Sequence, residues 1–352
     1  MPYKIGLVGL PNVGKSSLFS FLTRKDWDKI KNYPFATIEP NVGMMPLLDS
    51  RLEKLGQFWQ SPLVPSFVEI VDIAGLVKGA SEGLGLGNEF LSHIREVDLI
   101  CHVLRCFPEK EIIHVEKSVN PLRDFEIIQL ELILADLQQV TRKLERFKFR
   151  DEKSRQEQKI LQLLQVNLEK GISINKINLS DEEKEIVKNY HFLTAKPFFL
   201  LLNYGDKEEE IKKMVHYIQE KQLIYFPLAL KLEEEVRKLS SLEKKELGIF
   251  PANLSLLAEK IKQLLKLKTF FTAGEKEVKS WLTKNETSAK GCAGLIHSDF
   301  EKKIAQVEVY NYEDWKIIQD KNQLLNSGKI RKESIRYIVK DGDICYFMVR
   351  KS

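Results

Sequence analysis

Residues 3–9 run Tyr-Lys-Ile-Gly-Leu-Val-Gly, an apolar stretch broken by glycines, and predict a buried strand. A helix is predicted from Gly14 through Leu22. Phe67–Ile73, Leu99–Leu104 and Phe198–Leu202 are continuous apolar or β-branched runs. Runs without polar alternation fit strands buried on both faces, as in a parallel sheet with helices between the strands. From about Asp124 the period changes. Leu130, Ile133, Leu137, Val140, Leu144 and Phe147 recur at spacings of three and four, a heptad seam. After the polar stretch Arg150–Lys159, the positions Ile160, Leu164 and Leu168 continue at helical spacing. Two long helices folded back as an antiparallel hairpin satisfy both halves of the pattern. Strand character returns after Pro197, and Leu254–Leu267 reads as a closing helix. The remainder predicts a β-rich module with strands at Thr269–Thr272, Ile304–Tyr310, Ile335–Val339 and Ile344–Val349. Asp341-Gly342-Asp343 between the last two is a hairpin signal.

The chain has 352 residues and a formal net charge of +5, a length suited to two or three domains. Its composition, 43% hydrophobic and 30% charged, is that of a globular protein and excludes collagen-like and wholly disordered classes. No apolar run reaches the ~18 residues of a membrane span, so no membrane partner is expected. The first residues do not read as a secretory leader. Cys101, Cys106, Cys292 and Cys345 show no paired spacing and read as reduced thiols, which points to the cytoplasm. Residues 268–352 carry +4 of the net charge, a weakly basic module able to face nucleic acid.

Chemistry enters at Gly9-Leu10-Pro11-Asn12-Val13-Gly14-Lys15-Ser16. This is G-x-x-x-x-G-K-[ST], placed after a predicted strand and opening a predicted helix, the context its mechanism needs. The glycines let the backbone amides around Asn12, Val13 and Gly14 turn towards phosphate oxygens, and the helix start at Lys15, Ser16 and Ser17 adds a positive dipole end. Lys15 is expected to reach the β- and γ-phosphates, and the Ser16 hydroxyl to ligate Mg2+. Asp72-Ile73-Ala74-Gly75 follows the second predicted strand. Asp72 there can hold the magnesium ion through its water shell, while the Gly75 amide approaches the γ-phosphate. Between the two motifs, Thr37 is a loop threonine positioned to ligate magnesium when a triphosphate is bound. Gly79, Gly83, Gly85 and Gly87 make a segment suited to being ordered by a γ-phosphate and released after hydrolysis.

Taken together, these strings resemble the YchF-type ATPases, a branch of the Obg-related P-loop NTPases. The resemblance extends to Asn32–Thr37, Asp72–Ala80, Gly83–Asn88 and Thr269–Glu275, and covers the whole chain. It implies an α/β fold: a P-loop G-domain (1–124 and 196–267), an inserted antiparallel helical hairpin or coiled coil (125–195), and a C-terminal ubiquitin-like TGS α+β domain (268–352). It further implies hydrolysis of ATP in preference to GTP, and association with the ribosome or a ribosomal subunit and its rRNA. The residue after D-x-x-G, a water-orienting Gln in many GTPases, is Leu76. Leucine cannot hydrogen-bond the attacking water, so slow intrinsic turnover is expected. By the resemblance, His114 takes over that role, Asn12 matches an asparagine that helps bind K+, and Phe107 matches an aromatic near the base.

Guanine-specific relatives read the base with N-K-x-D after a strand. Here Asn203-Tyr204-Gly205-Asp206 follows Phe198–Leu202. The lysine is missing, as in the YchF family, yet that family usually ends this motif in Glu, and Asp206 is the guanine-reading type. Tyr204 can instead set the loop differently and turn Asp206 outward. A GTPase of the same architecture therefore stays open beside the ATPase. So does an RNA- or ribosome-binding adaptor in which nucleotide is a structural ligand.

Overall fold

The computed structural model describes residues 2–23, 41–73, 86–108, 116, 118–147, 151–205, 211–240, 243 and 253–350. These divide into two compact units: residues 1–23, 38–43 and 69–252 in the first, and 24–37, 44–68 and 253–352 in the second.

The first unit is built on a sheet whose order is β2(Val42–Leu47), β4(Ser66–Asp72), β1(Lys4–Val8), β5(Leu99–Arg105), β6(Phe198–Asn203), β7(Tyr225–Leu228). From β4 to β7 every neighbouring pair is parallel. The division between units falls inside β2 and β4. Every residue of β5 is buried, His102 and Arg105 included, as its mostly apolar run predicts for a strand covered on both faces. Helices α1(Lys15–Leu22), α3(Leu86–Glu96), α7(Lys212–Glu220) and α8(Leu230–Lys238) belong to this unit, whereas α2(Ser50–Trp59) falls in the second.

Between β5 and β6 the chain makes a helical excursion. α4(Pro121–Glu145) starts at Asn120, whose side chain accepts from the Arg123 amide. α5(Glu152–Glu169) opens with a reciprocal cap between Asp151 and Ser154, so the polar stretch after residue 151 is already helix. Ile133 and Val140 pack with Ile160, Leu161, Leu164 and Leu168, and Leu137, Leu144 and Phe147 border them. Leu130 departs from the expected seam and is 53% exposed. The early turns of α4 present another face, with Phe125 packed among Leu104, Leu200 and Leu202 of the strands, so the hairpin seam begins only at Ile133. α6(Asp181–Lys188) follows, capped by Ser180 and Glu183. The excursion is closed by the fully buried carboxylate of Asp136 on α4. It accepts from the Leu193 amide at 2.9 Å, and from the Thr194 amide and hydroxyl at 2.7 Å each.

The second unit centres on a sheet ordered β11(Arg331–Glu333), β10(Ile304–Asn311), β12(Asp343–Val349), β8(Leu267–Ala273), β9(Val278–Lys284), β3(Leu63–Val64). The expected strand at 335–339 and its hairpin with 344–349 do not form. β12 instead pairs antiparallel with β10 and parallel with β8, and 335–339 keeps only an isolated bridge from Ile338 to Ser288. The two aspartates explain the difference. Asp341 accepts from the Thr269 amide, while Asp343 accepts from the Lys340 amide and the Tyr337 hydroxyl. These bonds hold the segment as a loop rather than a tight turn. β9 and β11 lie outside the predicted strands.

Residues 253–267 and 44–68 group with this unit. Their helix α2 explains why. Leu52 and Leu55 pack with Phe271, Trp315 and Ile344, while Phe270, the neighbouring residue of β8, packs on the other face with Ala289, Cys292 and Phe347. The Arg51 guanidinium, on α2, donates to both Asp49 and Asp341. All four cysteines are buried and free. Among the described residues, no helix is long and apolar enough to cross a membrane.

Replacing Asp136 with Ala leaves two buried amides and a hydroxyl without their acceptor. Each uncompensated buried polar group costs about 1–3 kcal/mol, so Asp136→Ala is expected to destabilise the first unit by about 3 kcal/mol. Denaturant titration followed by amide hydrogen exchange at Leu193 and Thr194 checks this.

Candidate functional site

The phosphate loop joins the end of β1 to the start of α1. Val8 is buried, and Gly9 lies so near β5 that a Cβ there would sit 2.6 Å from the Val103 carbonyl oxygen. Asn12 takes a left-handed φ of 61° and Gly14 a φ of 99°, which only the second, lacking a Cβ, adopts without strain. A Cβ on Gly14 would also come within 2.5 Å of the Asn203 side-chain nitrogen. Gly14 is the residue before α1, and its carbonyl accepts from the Leu18 amide. The left-handed turn thus leaves the first amides of α1 without intrahelical partners, the arrangement that binds anions at helix N-termini.

Lys15 is buried, with its ammonium donating to the carbonyls of Gly9 at 3.0 Å and Leu10 at 2.9 Å. Burial lowers its pKa to about 8, with Asp72 pulling the other way. Ser16 and Ser17 are exposed on the same turn, and the Ser16 hydroxyl donates to the Asp72 carboxylate at 2.9 Å. Ser16 and Asp72 are 56 residues apart in sequence, and the parallel pairing of β1 with β4 sets Leu7 opposite Asp72. Two hard oxygen donors therefore meet beside a phosphate cradle. Among the described residues no cluster of three or more His, Cys, Asp or Glu side chains is found. That donor set suits magnesium, which takes one or two protein oxygens and completes its shell with phosphates and water.

Asn203, at the end of β6, holds the loop from the other side. Its side-chain amide donates to the Val13 carbonyl at 3.0 Å, and its own carbonyl accepts from the Cys106 amide at 2.8 Å. Asn203 opens the motif expected at the base, and its side chain braces the loop backbone. Tyr204 is half-buried against the cluster containing Leu104, Cys106 and Met214, and its amide donates to the Leu228 carbonyl. Phe107 is half-buried with the Arg105 guanidinium 4.8 Å from its ring centroid. Thr37, Gly75, Leu76, His114 and Asp206 lie outside the described residues.

Two buried groups near the loop are not singled out by sequence pattern. Arg105 is 1% exposed, a cation enclosed at the end of a strand, and its Nε donates to the Phe107 carbonyl. His102, on the same strand opposite Val8, has a buried Nε2 without a hydrogen-bond partner. Burial, and then the charge of Lys15, lower its pKa to about 3, so it stays neutral. A polar residue inside an otherwise apolar run is the one sequence signal that marks either.

Comparison with known proteins adds the following. A family model described as a 50S ribosome-binding GTPase matches residues 4–134, and a second, described as a protein of unknown function (DUF933), matches 267–350. The chain is similar to proteins named ribosome-binding ATPase YchF. It is 40% identical to that of Bacillus subtilis over 363 residues, covering 99% of each chain. With that of Escherichia coli O157:H7 it shares 38% over 361 residues, again covering 99% of each. A solved structure titled as the Schizosaccharomyces pombe YchF GTPase superposes with a TM-score of 0.87 at 35% identity, covering 98% of this chain and 97% of that one.

Two expectations follow from the loop geometry. An anionic phosphate beside Lys15 raises the lysine pKa back from about 8, so nucleotide binding at pH 8 is expected to take up about half a proton per site. Uptake should fade towards pH 6.5, where the free protein is already protonated. Calorimetry in two buffers of different ionisation enthalpy measures it, and Lys15→Ala should abolish it. Asn203→Ala removes the buried brace on Val13, and is expected to weaken diphosphate and triphosphate binding alike by about 1–2 kcal/mol, or about 5- to 30-fold.

Proposed function

Since the chain belongs to the YchF family, we propose that it is an ATP-hydrolysing nucleotide switch that binds ribosomes, with ribosomal RNA among the surfaces it meets. The observation that carries this reading is the convergence of Lys15, Ser16 and Asp72 at the mouth of a left-handed phosphate loop.

In this reading the amides of Val13, Gly14, Lys15 and Ser16 cradle the β-phosphate, and Lys15 exchanges its bonds to the Gly9 and Leu10 carbonyls for phosphate oxygens. Ser16 and Thr37 would hold Mg2+, with Asp72 in its outer shell, and a potassium ion would sit beside Asn12. The magnesium ion, when bound, neutralises charge on the phosphate oxygens. Water attacks the γ-phosphorus in line; its oxygen forms the new P–O bond as the bond to the bridging β–γ oxygen breaks, giving ADP and inorganic phosphate. Lys15 and the loop amides stabilise charge on the departing oxygen. The Gly75 amide contacts the γ-phosphate, and His114 orders the water that Leu76 cannot hold. With one hydrogen-bonding residue missing from that position, turnover without a partner is slow.

Adenine preference is carried over from the curated relatives' names. Tyr204, fixed against the apolar cluster, supports it by giving the base loop a different anchor from the lysine-containing guanine motif. Phe107 is the aromatic proposed to stack on the base. The helical hairpin acts as the family's coiled coil and the second unit's C-terminal part as its TGS domain, each a surface for a large partner. Binding to ribosomes, which the relatives' names print, fits action in the cytoplasm.

Lys15→Ala is expected to lower ATP hydrolysis at least about 100-fold, the scale of losing a principal charge stabiliser. Hydrolysis at the parental rate would sink the site assignment. His114→Ala is expected to slow turnover about 10- to 100-fold with nucleotide affinity unchanged, as for loss of a water-positioning group. Calorimetric titration with non-hydrolysable ATP and GTP analogues tests the base: a guanine preference would make this chain a GTPase of the same architecture. Phosphate release that stays absent with magnesium, potassium and ribosomes supplied would favour the adaptor.

A further inference from the structure

The last residue of β5 is an arginine that is 1% exposed, and it is among the largest fully buried side chains. Taking a guanidinium out of water is unfavourable unless its donors and its planar faces find partners. An apolar residue would complete the strand without that penalty. Two contacts of the Arg105 guanidinium converge on one neighbour. Its Nε donates to the Phe107 carbonyl at 3.2 Å, and its central carbon lies 4.8 Å from the centroid of the Phe107 ring. A flat, delocalised cation packs on an aromatic face in a way that a lysine ammonium does not. Backbone and ring of Phe107 are therefore held by the same group, two residues earlier in the chain. Phe107 itself stays half-buried, so this grip does not close it off from solvent.

The turn that carries both residues is tied to the phosphate loop. Arg105 stands opposite Asn203 in the parallel pairing of β5 with β6. The Cys106 amide donates to the Asn203 carbonyl at 2.8 Å, and the Asn203 side chain donates to the Val13 carbonyl at 3.0 Å. One asparagine thus anchors the segment that presents the ring and the loop that presents the amides.

We propose that Arg105 is a positioning residue for the nucleotide base: by gripping Phe107 it makes the ring a preformed platform on which the base stacks, at a fixed distance from the phosphate loop. The proposal rests on the reading above that Phe107 meets the base, and names what holds it there. A free phenylalanine gives up rotamer freedom when a base covers it, which weakens binding. A ring already immobilised by Arg105 has given up that freedom in folding. The base is remote from the γ-phosphate, so its stacking is the same in the ground state and the transition state and appears in KM rather than kcat. An arginine that only closed the end of β5 would act differently. Its loss would pass through Cys106 and Asn203 to the phosphate loop, and would weaken the binding of bare phosphates as well.

The test is calorimetric titration of the full chain, magnesium present, with two probes. One is inorganic tripolyphosphate; the other is whichever of the non-hydrolysable ATP and GTP analogues the parent binds more tightly. Arg105→Met removes the planar cation at similar volume. Arg105→Lys keeps the charge, and stands in should the first variant not fold. Both are expected to weaken analogue binding about 3- to 10-fold, the scale of ordering one side chain, while tripolyphosphate binding stays within about twofold of the parent. KM for the matching triphosphate should rise by the same factor with kcat unchanged. In a Phe107→Leu background, neither substitution should weaken analogue binding further. Parental analogue affinity in the Arg105 variants, an equal loss for tripolyphosphate, or an undiminished further loss in the Phe107→Leu background would overturn the proposal. Phe107→Leu by itself keeps the two readings apart. If it weakens analogue binding and the Arg105 variants do not, the base reading stands and the role of Arg105 falls. If it binds the analogue as the parent does, the base reading falls, and the role of Arg105 with it.

Discussion

An ammonium group buried at the end of a parallel sheet is the constraint around which the nucleotide unit is arranged. Lys15 has left bulk water, and an unpaired charge in that position would be prohibitive. Two loop carbonyls solvate it, and Asp72 faces it across the strand ends. For the carbonyls of Gly9 and Leu10 to point inward, the chain must reverse tightly, and it does so through left-handed residues at Asn12 and Gly14. The same reversal frees the amides at the start of α1. Cation and amide cradle are therefore one feature, and a phosphate satisfies both at once.

The neighbours of that lysine are chosen to match. His102 on the adjacent strand is held neutral by burial, and Lys15 reinforces this, so the histidine adds no charge beside the ammonium. Asn203 braces the loop through Val13 and so links it to β6. Since β6 follows the helical excursion, and Asp136 secures the return of that excursion at Leu193 and Thr194, the loop's brace depends on the hairpin folding correctly. Packing and chemistry are coupled along one stretch of chain.

Within the second unit, α2 supplies one side of a sheet whose other side is covered by the helix containing Cys292. Phe270 and Phe271 point to opposite faces of β8, as the period of a strand demands. Arg51 pairs with Asp49 two residues before it and with Asp341, 290 residues away in sequence. They tie a residue preceding Asp72 in the chain to the C-terminal module.

Local signals were enough for the parallel strands, the phosphate loop and the two long helices. Each depends on short-range spacing: an unbroken apolar run, a left-handed glycine between a strand and a helix, a seam of period three and four. Those same signals failed where residues distant in sequence compete. Leu130 fits the heptad by spacing, yet the early turns of α4 turn a different face to the strands. Asp341-Gly342-Asp343 fits a hairpin, yet Thr269, Tyr337 and Lys340 claim its carboxylates and leave a loop. Residues 44–68 follow the phosphate loop in the chain, yet Leu52 and Leu55 find their apolar partners on Phe271 and Trp315. Periodicity reports which face of an element is apolar, and is silent on which other element will cover it, because that choice is made by burial and hydrogen-bond satisfaction summed over the folded unit.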